Sequence, residues 1–104
     1  MIWNAEKTLS NFCSWQTNFI ASKKLTKPDL SILITKEDIC KSRKVCQTLG
    51  MAKLGQVCIS GQNCALIEDS GINTAYTIAH EIGHLIGMKH AEESRCKFKD
   101  TRDG

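Results

Sequence analysis

Between residues 7 and 20 the apolar positions Leu9, Phe12, Cys13, Trp15, Phe19 and Ile20 recur at intervals of three and four. That is the period of an α-helix burying one stripe, and it puts the aromatic side chains in the core. Pro28 and Asp29 interrupt the pattern. The run LSILIT, residues 30–35, is rich in β-branched residues and bounded by turn formers, so it predicts a mostly buried strand. Glycine-rich LGMAKLGQVCISGQNC, residues 49–64, predicts one or two short strands with loops pinned by cysteines, and residues 65–67 another strand. From Ile72 the period returns to that of a helix: Ile72, Ala75, Tyr76, Ala79, Ile82, Leu85 and Ile86 share one face. Ser70 or Asn73 can cap its start, and Gly87 its end. Helix, strands and helix in that order predict an α/β or α+β fold.

A chain of 104 residues is one domain or part of one. Its net charge of +3 is small and scattered, which argues against nucleic acid as the partner. The densest charge run, KHAEESRCKFKDTRDG, mixes both signs and reads as solvated surface. No stretch is apolar for long enough to span a bilayer. The six cysteines (Cys13, Cys40, Cys46, Cys58, Cys64 and Cys96) form no CxxC pair, which favours disulfides over a structural zinc cluster and hence an oxidising, extracytoplasmic compartment. Spacing alone does not choose their pairing. A secreted chain should begin with a signal peptide, yet Glu6 and Lys7 stand where its apolar core belongs, so the expectation is that either the N-terminus has been lost or Met1 is not the native start.

All three histidines fall within HEIGHLIGMKH, residues 80–90. On the helix just inferred, His80 and His84 lie one turn apart on one face, where both imidazoles can reach one ion. Glu81 is rotated by about 100° from His80, beside such an ion without having to ligate it. Gly87 can adopt the left-handed conformation that turns the chain sharply out of the helix, carrying His90 back towards the same ion. Three neutral imidazoles leave a fourth position for water, the arrangement of a catalytic zinc. Zinc lowers the pKa of that water to about 7, and Glu81 can take its proton as it attacks a polarised carbonyl. Ordinary surface or core histidines would account for HExxH alone. They do not account for HExxHxxGxxH, which fixes ligands, base, turn residue and spacing together and is the metzincin signature.

Through these residues the chain resembles the reprolysin branch of the metzincins, and within it the ADAMTS proteases (a disintegrin and metalloproteinase with thrombospondin motifs). NFCSWQ, DLSILITKEDIC, CQTLGMAKLGQVC and NCALIEDSGINTAYTIAHEIGHLIGMKH follow the family's order and spacing, as does Cys96. The resemblance implies a metzincin-like α+β fold: a partial mixed sheet packed on helices, with the long active-site helix carrying HExxH. It implies that residues 1–104 are a partial catalytic domain, truncated at both ends and without the methionine turn. It implies bridges Cys13 to Cys64 and Cys40 to Cys46, with Cys58 and Cys96 joined to cysteines further downstream. It also implies a calcium site of Asp38, Thr48 and Glu68 with the carbonyls of Ile39 and Cys46, hard oxygen ligands as calcium requires. Without the resemblance, Asp38 and Glu68 read as surface charges. Residues 49–57 match the cleft-edge strand to which an extended substrate adds through main-chain hydrogen bonds; taken on their own, the glycines and alanine there suit a simple hairpin equally. Ala91 departs from the family, which carries aspartate directly after the third histidine.

The function implied is that of a secreted zinc metalloendopeptidase cutting extracellular-matrix or other secreted proteins, with Glu81 as its base. A catalytically inactive, protease-derived binding module that keeps its zinc site is the alternative left open by Ala91 and the absent segments. Glu81 argues against it, since a structural zinc needs no base. A disulfide-stapled toxin-like or growth-factor-like protein fits poorly with the long helical pattern.

Overall fold

The structure is a computed structural model that describes residues 4–90. Ala91, Cys96 and the rest of the charged run beyond His90 lie outside the described residues. The chain runs from helix α1 (Ala5–Ser22) through strands β1 (Ser31–Thr35), β2 (Gly50–Ala52) and β3 (Cys64–Glu68) to a 3-10 turn (Gly71–Asn73) and helix α2 (Thr74–Leu85). This is an α+β fold built on a small mixed sheet, ordered β1-β3-β2. β3 pairs parallel with β1, Ser31 opposite Cys64 through Thr35 opposite Glu68. It pairs antiparallel with β2, Gly50 opposite Ile67 and Ala52 opposite Ala65.

Cys64, Ala65, Leu66 and Ile67 of β3 are all fully buried, as a central strand covered on both faces must be. Strand side chains alternate between faces. Cys64 and Leu66 accordingly join the core on the α1 side with Ala5, Leu9, Cys13 and Ile39, and Leu33 and Met51 pack against its margin. Ala65 and Ile67 face the other way, towards α2. β1 is only half-buried and Ile34 is exposed; among the described residues LSILIT lies on one side of β3 and is not the mostly buried strand its composition predicts. Short apolar runs carry no mark of their place in a sheet, and β3 takes the centre.

Asn4 caps α1, its side chain accepting the Lys7 N–H at 3.1 Å. The inward line is Ala5, Leu9, Cys13 and Gln16, anchored by a disulfide from Cys13 to Cys64 on β3. A second disulfide closes the loop from Cys40 to Cys46. Gln16 is satisfied in its buried place: its Oε1 accepts the Ser31 hydroxyl at 2.8 Å and its Nε2 donates to Thr17 Oγ1 at 2.9 Å. The aromatic expectation is corrected here. Trp15 is 60% exposed and Phe19 is exposed as well, while Phe12 packs at the core margin. Two residues beyond Cys13 is about 200° around the helix, so anchoring Cys13 inward turns Trp15 outward. Phe12, Trp15 and Phe19 stack in series, with ring centroids 6.3 and 5.2 Å apart.

The face of α2 is corrected too. Of the expected face Leu85 is buried and Ile82 half-buried, but the other buried residues of α2 are Thr77 and Glu81, and Ile72 in the preceding turn (99% exposed), Ala75, Tyr76, Ala79 and Ile86 are exposed. α2 packs on β2 and β3. The sheet selects a line of residues spaced by four, regardless of where the apolar ones are most frequent.

Candidate metal centre and active site

Neither Ser70 nor Asn73 caps α2 with its side chain. Asp69 instead braces the 3-10 turn that leads into α2. Its Oδ1 accepts the Gly71 N–H at 3.2 Å and the Thr74 hydroxyl at 3.1 Å, and Thr74 Oγ1 in turn accepts the Ser70 N–H at 3.0 Å. The Gly71 and Thr74 bonds hold the Asp69 carboxyl below the usual aspartate range, because they favour its charged form.

At the other end Gly87 adopts φ +101°. Its N–H reaches His84 O at 3.0 Å and the Met88 N–H reaches Gly83 O at 2.9 Å, the paired bonds of a Schellman turn. The loop after β2 adds two donors: Gly55 N–H to His84 O at 2.8 Å and Val57 N–H to Leu85 O at 3.1 Å. The last turn of α2 is thus held by its own C-cap and by the loop following β2.

These constraints bring the three histidines together. Nε2 of His84 lies 3.1 Å from Nε2 of His80 and 3.0 Å from that of His90, and the remaining pair is 3.3 Å apart. Among the described residues no other group of three or more His, Cys, Asp or Glu ligand atoms converges in this way. His84 Nδ1 lies 2.8 Å from Met88 O. A carbonyl can only accept, so Nδ1 carries the proton and a neutral His84 presents the lone pair of Nε2 to the cluster. Nitrogens about 2.0–2.1 Å from a tetrahedral zinc stand about 3.3 Å from one another. The donor type, the spacing and the tautomer of His84 therefore all fit zinc.

Glu81 is not one of the converging ligands. It is 1% exposed and meets β2. A Cβ placed on Gly50 would lie 2.8 Å from Glu81 Cγ and 2.9 Å from Thr77 Cγ2. Gly50 and Thr77 escaped the sequence reading. The available signal was a glycine inside a strand, which marks close approach of another element.

The residues of the implied calcium site do not all share one environment. Asp38 is exposed, Glu68 Oε1 accepts the Ile39 N–H at 2.9 Å, and Cys46 is bridged to Cys40. Thr48 is fully buried with no hydrogen-bond partner for its hydroxyl. Cys58 is exposed and, among the described residues, is the one cysteine outside a bridge.

The sequence matches the Reprolysin (M12B) family zinc metalloprotease profile over residues 1–103. The chain belongs to the reprolysin family. This reprolysin sequence is 44% identical over 95 residues to "A disintegrin and metalloproteinase with thrombospondin motifs gon-1" of Caenorhabditis elegans, covering 89% of the chain and 4% of that protein. It is 41% identical over 97 residues to the mouse protein numbered 20 in the same series, covering 91% of the chain and 5% of the relative. With the rat protein numbered 1 it shares 44% over 95 residues, 89% of the chain and 10% of the relative. It is therefore an ADAMTS-type reprolysin sequence that spans a tenth or less of the length of these relatives. The metal in the family's description is the one the three nitrogens fit.

Proposed function

We propose that the chain carries the catalytic centre of a zinc-dependent endopeptidase acting on secreted or extracellular-matrix proteins, and that residues 1–104 are part of its catalytic domain. The observation that carries this reading is the convergence of three Nε2 atoms within 3.0–3.3 Å, with the buried Glu81 carboxylate on the same helix. Zinc held by His80, His84 and His90 would supply Lewis-acid polarisation of a peptide carbonyl and a water of lowered pKa.

The protein's own part is to position and move a proton. Glu81 takes a proton from the attacking water as the water oxygen bonds to the carbonyl carbon. It then delivers that proton to the amide nitrogen as the carbon–nitrogen bond breaks. β2 lies at the edge of the sheet, so an extended peptide can add to its outer side by main-chain hydrogen bonds. Secretion is supported by the two disulfides, and no described helix is long and apolar enough to cross a membrane. A calcium-stabilising site at Asp38, Thr48 and Glu68 with the Ile39 and Cys46 carbonyls belongs to the same reading. It is supported by the unpartnered, buried Thr48 hydroxyl.

Glu81→Gln tests the central claim, since it keeps the shape of the side chain and removes the proton acceptor. Zinc content should stay at one per chain while turnover of a protein substrate falls by about 10²–10⁴-fold. Near-normal cleavage with zinc bound would sink the assignment of Glu81 as base.

A further inference from the structure

The contact between β2 and α2 is made through a glycine that the backbone does not require. Gly50 is not among the glycines with left-handed φ, so its value lies in the space a side chain would fill. A methyl group there would sit 2.8 Å from Glu81 Cγ, 3.0 Å from Glu81 Oε2 and 2.9 Å from Thr77 Cγ2. Optimal carbon contacts begin at about 3.5 Å, so the methyl would push into both side chains at once. β2 cannot simply lift away. Gly50 is in register with Ile67 on β3, and the neighbouring Leu49 carbonyl accepts the Glu68 N–H at 2.8 Å.

We infer that Gly50 is a positioning residue: lacking a side chain, it lets β2 rest directly on Glu81 and, with Thr77, confines the carboxylate to one place against the strand. This rests on the reading of Glu81 as the base. A glutamate has three rotatable bonds, and an unconfined carboxylate would spend much of its time away from the reacting water. Thr77 cannot move aside freely, because its hydroxyl donates to Asn73 O at 3.1 Å and it is itself buried. The strand offered to the substrate and the residue offered to the water are thereby held in one fixed relation.

The test is Gly50→Ala in the zinc-loaded protein. Its crystal structure should show the Glu81 carboxylate displaced relative to the three Nε2 atoms, with zinc content and both disulfides retained. A displacement approaching 1 Å lowers kcat by about 10–10²-fold, with KM unchanged. In a Glu81→Gln background the same substitution should cause no further loss, because it acts through the carboxylate. If Gly50→Ala folds poorly, Gly50→Ala with Thr77→Ser removes the methyl contact at Thr77, keeps its hydroxyl and leaves the Glu81 contacts to be read. A carboxylate that has not moved, a raised KM with normal kcat, or multiplying losses in the double variant would each overturn the inference. Failure of the underlying reading looks different. Glu81→Gln would then cleave normally, while the crystallographic comparison would still report whether Gly50 fixes the side chain.

Discussion

Replacing Gly87 with alanine should weaken zinc binding without touching a ligand. Gly87 closes α2 at φ +101°, and two features of the metal centre depend on that turn. It returns the chain so that His90 Nε2 lies 3.0 Å from His84 Nε2, and it places the Met88 carbonyl 2.8 Å from His84 Nδ1. A Cβ on Gly87 meets nothing within 4 Å, so the substitution adds no collision and its cost is purely conformational. An L-residue in left-handed backbone costs about 1–2 kcal/mol. The metal-free chain can relieve this strain by opening the turn, whereas the zinc-loaded chain must keep it closed. The strain therefore appears in the binding constant, as roughly 5–30-fold weaker zinc affinity. Gly87→Asn should fall between wild type and alanine, since asparagine tolerates this region better. Competition against a chromophoric chelator at fixed pH measures the affinities, with far-UV circular dichroism confirming that α2 persists. If Gly87→Ala binds zinc as tightly as wild type while His84→Ala loses it, the turn is not what assembles the site.

Two further outcomes follow from the structure. Bonds from Gly71 and Thr74 lower the folded-state pKa of Asp69, so the stability it contributes is complete above the ordinary aspartate pKa of about 3.9 and disappears as pH falls through the lower folded value. Thermal unfolding of wild type and Asp69→Asn at a series of pH values should show a gap that is constant near neutrality and closes in acid; a pH-independent gap would contradict its role in bracing the turn before α2. For the calcium proposal, millimolar calcium should raise the melting temperature of the zinc-loaded protein, and Thr48→Val should reduce that rise. No calcium effect on wild type would remove the site from the reading.

Much of the centre was legible because its geometry is local. Four residues along a helix is one turn in any helix, so His80 and His84 were on one face before any tertiary contact was known, and Gly87 announced the turn that returns His90. The two disulfides were available only through the family resemblance, since cysteine spacing permits many pairings. The order of helices and strands could likewise be read from changes in period.

Which way each element faces was not local. α1 carries apolar side chains on more than one side, and the anchoring of Cys13 to Cys64 turned Gln16 inward and Trp15 outward. The apolar positions from Ile72 to Ile86 share one face, yet of them only Leu85 is fully buried, in line with Thr77 and Glu81. Periodicity reports that a helix has a stripe; the element packed against it decides which line of residues is buried. The same limit applies to the strands: LSILIT reads as mostly buried and residues 65–67 simply as a strand, and long-range pairing is what puts the second between the other two. Gly50 is the clearest case. Its sequence neighbourhood says only that a strand contains a glycine, and its meaning comes from Glu81, 31 residues later in the numbering, arriving 2.8 Å from where a side chain would begin.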